Sequence, residues 1–401
     1  MSLYYARFNS TANYLNDNRL VAGNAAAADG TQQAIFWEGP FRMDIGTPGL
    51  NSGIFGVNTS GQASISGEIS TKDPNNENFC AWGTGLQCAA FLWQRGVLTQ
   101  LPTLGGNNST LGNINSKGEI AGATENSTRD PDCPSKVTIA GTGPQYLDYE
   151  AVVWGPNPGD IRELKPLPGD TVGIALWIND KSQAVGASGT CANTLLPPLA
   201  LGPHAVLWEK DGSVHDLGNL GSTVINMALS INNQGQVVGA SSLNDQATPG
   251  SGTHAFLWTS AAGMRDLGTL PGDLASAGVM INDAGDVVGP SIDPSGNPRA
   301  YLWHKGVMSD LNDLVPGNSS LFLLWSTAIN SRGEISGFGA TEKGDVHGFL
   351  AIPSKGEAAS ESFSPAAPSA NIRIALPENI REQIRQRLPV SRFGSPFMGL
   401  R

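Results

Sequence analysis

The sequence predicts an all-β fold, a ring of seven four-stranded antiparallel sheets, and three observations carry that expectation. Two short signatures alternate along the chain. One, Ala-aromatic-Leu-Trp in type, ends at Trp37, Trp93, Trp154, Trp208, Trp258 and Trp303, with a seventh copy, GFLA, ending at Ala351. The other, Ile-Asn-x-x-Gly in type and followed by an apolar pair and Gly, has its Asn at Asn16, Asn58, Asn115, Asn179, Asn232, Asn282 and Asn330. Seven copies of each, interleaved, with the first signature at a period of 45–61 residues, describe one supersecondary unit repeated seven times.

Each unit is the right size for four short strands, which is the third observation. In one copy they are AGVMIN, DVVGPS, RAYLWH and VMSDLN, rich in Val, Ile, Leu and aromatics and bounded by Gly, Asn, Asp and Pro. Their apolar runs are nearly continuous, so both faces of each small sheet must be covered. Sheets stacked radially cover one another in that way, which defines a seven-bladed β-propeller; a Gly-rich β-helix shares the turn chemistry but repeats at a shorter period. The Asn-x-x-Gly step makes a tight hairpin, Asn bonding its own backbone and Gly taking positive φ. Two copies put Arg19 and Ser182 in place of that Gly.

Taken in order, SLYYARF (2–8) stands where, in cyclic order, the missing fourth strand of the last blade belongs; IRIAL (372–376) is the rival for that role. Residues 1–353 make the ring. Between the Gly that closes the second strand and the residue that opens the third lie ten residues in blades 1, 6 and 7, but 22, 28, 18 and 15 in blades 2 to 5. This connection always leaves the ring on the same side, so the insertions form one arc on one face. Residues 354–370, rich in Ser, Ala and Pro, read as a flexible linker. In the basic tail, 371–401, Pro377, Glu378 and Glu382 favour a helix start, and Ile380, Ile384 and Leu388 form an amphipathic stripe that Pro389 ends.

Composition narrows the function classes. Glycine, at 50 of 401 residues, exceeds the usual ~7%, and charged residues at 15% fall below the usual ~25%, the profile of turn-rich β structure. A net charge of −11 argues against a nucleic-acid partner. No apolar run is long enough for a membrane span, and MSLYYARFNS shows no basic-then-apolar leader. All four cysteines, Cys80, Cys88, Cys133 and Cys191, lie in the insertion arc without metal-binding spacing, which points to disulfides and an exported protein with neither metal nor cofactor. Three pairings are open; Cys80 with Cys88 closes a local loop, and Cys133 with Cys191 pins one insertion to the next.

His254-Ala255-Phe256 and His204-Ala205-Val206, followed by Asp-Leu-Gly at 266–268 and 216–218, resemble the HAF repeat family of predicted extracellular bacterial proteins. The resemblance covers about residues 10–351. It implies an extracellular or periplasmic setting and assigns no role to the histidines.

The candidate recognition surface is the insertion arc. There Trp82, Tyr146 and Tyr149 supply flat contact area, with Arg129, Asp132 and Glu150 as polar neighbours. The position before the third strand, Gln33, Ala89, Glu150, His204, His254, Arg299 and His347, borders the same face; it reads either as an anion or acid–base site or as simple repeat inheritance. The acidic position in the fourth strand, Asp44, Gln100, Glu163, Asp216, Asp266 and Asp310, is expected to satisfy backbone donors at the bend that follows. The seven asparagines are expected to ring the axis and cap their own turns. Asp73, Asn75 and Glu77 alternate like the start of a calcium loop, but the required Gly and closing Glu are missing. No nucleophile elbow, zinc or phosphate-loop motif occurs. The expected function is therefore a non-catalytic binding or scaffold protein for a carbohydrate or protein ligand. The competing expectation is a polysaccharide-directed hydrolase or lyase, with carboxylates converging at the loop-side mouth of the ring.

Overall fold

The computed structural model describes residues 1–5, 10–38, 41–80, 82–133, 144–191, 202–248, 250–315, 319–341 and 343–353. The linker, IRIAL and the expected tail helix lie outside the described residues. Those described form seven antiparallel sheets, a seven-bladed β-propeller.

Strand β1 (Ser2–Tyr5) comes first in the chain but belongs to the last blade. Blade 1 runs, inner to outer, through β2 (Ser10–Leu15), β3 (Val21–Ala26), β4 (Gln32–Glu38) and β5 (Phe41–Ile45). Blade 2 is β6 (Ser52–Val57), β7 (Ala63–Lys72), β8 (Leu86–Gln94) and β9 (Val97–Gln100). Blade 3 is β10 (Gly105–Ile114), β11 (Ile120–Arg129), β12 (Leu147–Trp154) and β13 (Ile161–Leu164). Blade 4 is β14 (Val172–Ile178), β15 (Ala184–Gly189), β16 (His204–Trp208) and β17 (Val214–Asp216). Blade 5 is β18 (Asn226–Ile231), β19 (Val237–Ser242), β20 (Thr253–Thr259) and β21 (Gly263–Gly268). In blade 6 the inner strand is broken into β22 (Ala275–Ser276) and β23 (Met280–Ile281), both paired with β24 (Val287–Ile292), followed by β25 (Pro298–His304) and β26 (Val307–Asp310). Blade 7 is β27 (Leu321–Ile329), β28 (Ile335–Thr341) and β29 (Val346–Ile352), and β1 completes it.

The ring closes through its N-terminus. β1 pairs antiparallel with β29, from Ser2 opposite Ile352 to Tyr5 opposite Phe349. The fourth strand of the last blade is thus supplied by the other end of the chain, and the short β1 takes the place of β29 as the edge of the sheet. One departure from expectation is helical. α1 (Leu311–Leu314) lies within the ring, where no helix was expected; Asp310 caps it by accepting from the Asn312 N–H at 2.9 Å.

The two signatures have separate structural causes. In the Trp-ended third strands, fully buried Trp154 and Trp208 each donate their indole N–H to a carbonyl of the connection entering their blade, Pro102 O at 2.8 Å and Lys165 O at 2.7 Å. The ring thereby fills the seam between blades while its one polar group stays paired. The Gly after the apolar pair is a close-approach residue. A Cβ at Gly239 or Gly289 would lie 1.9 Å from the carbonyl oxygen of Met227 or Ala277 on the adjoining inner strand. The Asn turns follow the predicted chemistry. Gly118, Gly235 and Gly285 take φ near +80°, and Arg19 and Ser182 are forced to φ 63° and 64°. Both exceptions are held across a seam, Arg19 by Glu334 and the Ser182 hydroxyl by Glu119.

Candidate functional site

First and third strands begin, and second strands end, on the side opposite the Asn turns. The insertions of blades 2 to 5 therefore share one face with the connections between blades. Among the described residues blade 2 contributes 73–80 and 82–85, and blade 3 contributes 130–133 and 144–146. These two segments are built into each other.

Asp73 opens the blade 2 insertion with an Asx turn, its Oδ1 accepting from the N–H groups of Asn75 and Glu77, both at 2.9 Å. The alternation that resembled a calcium loop is this turn. Glu77 then reaches into blade 3, where its Oε1 accepts from the Tyr146 and Leu147 N–H groups at 2.6 and 3.2 Å. Behind it, Asn108 Nδ2 donates to both Asp73 Oδ2 (2.9 Å) and Glu125 Oε2 (3.0 Å), while Gln145 Nε2 donates to Glu125 Oε1 at 2.8 Å. The Asn108 amide is fixed in that sense because its Oδ1 accepts from the Cys88 N–H at 2.9 Å. Asp73, Glu77 and Glu125 are all buried. Burial, followed by the charges of Glu77 and Asp73, pushes the Glu125 carboxyl well above its ordinary range; burial also raises Glu77. Amide donors occupy the space between these carboxylates, so they act as a junction between blades.

Two disulfides complete the construction. Cys80–Cys88 closes the blade 2 insertion, with Cα atoms 5.3 Å apart, and Cys133–Cys191 ties the blade 3 insertion to that of blade 4, at 4.8 Å. Asp130 lies within 4.8 Å of both Cys133 and Cys191 sulfurs, the one cluster of metal-ligand type among the described residues. Those sulfurs are bonded to each other, and the Asp130 carboxylate already accepts from the Asp132 N–H and the Thr171 hydroxyl.

The sequence-predicted site residues do not converge on one point. Arg129 and Tyr146 come together at the exposed edge of the blade 3 insertion, the guanidinium 5.6 Å from the ring centroid, and Asp132 is exposed in the same segment. Tyr149 is a correction. The expectation that inserted residues are exposed fails here, because Phe79 from the blade 2 insertion folds over it, edge to face at 6.4 Å, leaving Tyr149 1% exposed. Both belong to the cluster that fills the centre of the ring beneath the insertions, with Val172, Ile174, Met227 and Trp325, and Trp82 packs against that cluster. These aromatics hold the arc down. His204 and His254 do not meet: His204 is 2.9 Å from Asp170 of the connection entering blade 4, and His254 is 2.9 Å from Asp266 on the neighbouring strand of blade 5. Three fourth-strand aspartates behave as expected, Asp216, Asp266 and Asp310 accepting from the Gly218, Gly268 and Asn312 N–H groups, whereas Asp44 accepts from the Arg42 side chain.

Glu150 is the exception in its row. It faces blade 2, on the same side of β12 as Val152 and Trp154, which pack against Ala90, Leu92 and Leu101. Its Oε2 and the Asp148 Oδ1 are buried without a hydrogen-bond partner among the described residues. Burial first, then the Asp148 and Glu163 carboxylates, push Glu150 up to about 8; burial also raises Asp148. Sequence reasoning had named Glu150 but missed Asp148. Its position two residues earlier on the same strand face was the available signal.

No family model and no curated protein sequence matches the chain. Among solved structures it resembles virginiamycin B lyase from Staphylococcus aureus, at 10% identity over 88% of this chain and 99% of that one, with a TM-score of 0.51. It also resembles the β-propeller domain of the Trilobed protease from Pyrococcus furiosus, at 10% identity over 87% and 93%, with a TM-score of 0.50. A third likeness, to YCF48 bound to D1 peptide, has 8% identity over 90% and 96% and a TM-score of 0.48. The first two likenesses agree with the propeller fold. The Pyrococcus domain is described as an open velcro, whereas here β1 covers β29.

Proposed function

We propose that this chain is a non-catalytic binding propeller acting outside the cytoplasm, with the joined insertions of blades 2 to 4 as its recognition surface for a carbohydrate or protein ligand. The observation that carries this reading is the junction itself: Glu77 of one insertion gripping the Tyr146 and Leu147 N–H groups of the next. Ordering a loop costs conformational entropy, and a loop fixed in advance by disulfides and buried hydrogen bonds presents its outer residues at little further cost on binding. Arg129, Asp132 and Tyr146 are those outer residues. The two disulfides, with no membrane-spanning helix among the described residues, suit an extracellular or periplasmic setting. So do the HAF-type signatures.

The test is capture on arrays of glycans and secreted proteins, comparing the intact chain with Arg129→Ala/Tyr146→Ala. Loss of captured ligands in the variant, at unchanged melting temperature, supports the reading; an empty array, or capture unaffected by the variant, refutes it.

A catalytic reading is favoured by one observation. Glu150, held up to about 8 beside Asp148, is a proton donor at neutral pH, the kind of group a glycosidic leaving oxygen requires. Release of reducing ends or unsaturated products from polysaccharides, abolished in Glu150→Gln, would establish that reading in place of binding alone.

A further inference from the structure

The repeat closes two of its seams with an aspartate clamp that the seam between blades 2 and 3 lacks. Where the connection reads Leu-Pro-Gly-Asp, at 167–170 and 270–273, its aspartate clamps the side chain at the head of the next third strand: Asp170 to His204 Nδ1 at 2.9 Å and Asp273 to Arg299 at 2.8 Å. Between blades 2 and 3 the equivalent connection reads Leu104-Gly105-Gly106-Asn107, so Asn107 stands in the aspartate's place, and the place of His204 and Arg299 is taken by Glu150. Both partners of the clamp are gone. Along this seam the surface opens into a groove of about 640 Å³, walled by Gln87, Gln100, Thr103, Asn107 and the Pro158–Gly159 hairpin.

The groove has no charged lining residue, on a chain whose net charge is −11. The side-chain amides of Gln87, Gln100 and Asn107 make no hydrogen bond among the described residues, and each offers both donors and an acceptor. We propose that this groove binds a neutral oligosaccharide. Hydroxyls, each donor and acceptor at once, match unpaired amides that neither a polyanion nor a cationic peptide would satisfy as fully. This goes beyond the binding reading above and does not rest on it: the groove is a second site, on the seam between blades 2 and 3, lined by neither Arg129 nor Tyr146.

The experiment is calorimetric titration of the full chain with neutral gluco-, manno- and xylo-oligosaccharides, with oligogalacturonate and with a lysine-rich peptide. It is repeated on Gln87→Ala/Asn107→Ala, on Gly159→Leu, whose new side chain meets no protein atom within 4 Å of its Cβ, and on Arg129→Ala/Tyr146→Ala. The expected result is binding of a neutral oligosaccharide that the two groove variants weaken by roughly ten-fold or more, the equivalent of about one hydrogen bond. No neutral binding, binding of only the polyuronate or the peptide, or an affinity unchanged in Gln87→Ala/Asn107→Ala overturns the proposal. Weakening by the Arg129→Ala/Tyr146→Ala variant alone overturns it while leaving the insertion-face reading intact.

Discussion

Asn330 Nδ2 donates to Asn16 O, 3.4 Å away across the joint between the last blade and the first. The same bond recurs at every seam, from Asn16 to Asn58 O (2.8 Å) round to Asn282 to Asn330 O (3.2 Å), so seven side chains form a closed circle. Each Asn Oδ1 meanwhile caps its own turn, as Asn115 does for the Lys117 and Glu119 N–H groups. One residue type thus sets the hairpin and joins the blades. Asn115→Ala should cost about 1–3 kcal/mol in a denaturant melt, because buried groups lose their partners. Asn115→Asp keeps the acceptor and loses the donor. It should also destabilise, and full retention of stability would mean that the circle contributes nothing beyond the turns.

Deletion of residues 1–5 strips β1 from the edge of blade 7. Each ladder bond lost is worth roughly 0.5–1.5 kcal/mol, and an unpaired edge strand is left behind. The melting temperature should fall and aggregation should rise, by differential scanning calorimetry and light scattering. Deletion of 372–376 serves as the control and should leave both unchanged.

The two disulfides should differ in worth. Their sequence separations are 8 for Cys80–Cys88 and 58 for Cys133–Cys191. Loop-closure entropy alone gives on the order of 2.5 and 4 kcal/mol respectively. Cys133→Ser/Cys191→Ser should therefore lower the melting temperature more than Cys80→Ser/Cys88→Ser, and a reductant should lower that of the intact protein. The reverse order would show that native-state packing under Phe79, not chain entropy, decides.

Stability should fall as pH rises through neutrality. Glu150 is held up to about 8 in the folded chain against an ordinary 4.5, so between those values the folded state keeps a proton that the unfolded state has lost. The folded state then binds more protons, and unfolding becomes easier with rising pH until about 8. Glu125, also raised, adds a slope of the same sign. Glu150→Gln should flatten part of this slope and leave the protein more stable than wild type above pH 8. An unchanged slope in the variant would place the titration elsewhere.

The ring was legible because its code is local. Asn with a Gly three residues on, or the strained Arg19 and Ser182, sets each hairpin, and counting those turns counts the blades. The closing strand was legible too, since cyclic order leaves a vacancy that only a distant segment can fill. The junction of Asp73, Glu77 and Glu125 was not, because its bonds join residues up to 70 positions apart and acidic residues in loops read as solvated. Tyr149 misled for a related reason. Nothing near it in sequence announces that Phe79 of another blade will cover it. α1 carried a readable signal in Asp310, whose carboxylate two residues before an N–H is an ordinary helix start, but four residues are too few for periodicity to register.

The central claim is that ligands meet the insertion-bearing face and not the opposite one. The most direct measurement sets two variants side by side on the same glycan and secreted-protein arrays: Arg129→Ala/Tyr146→Ala on the insertions, and Lys117→Ala/Lys181→Ala on the Asn turns. The account predicts that the first loses the ligands captured by the intact chain while the second keeps them. For ligands other than neutral oligosaccharides, capture lost only in the lysine variant, or equally strong in both, would contradict it.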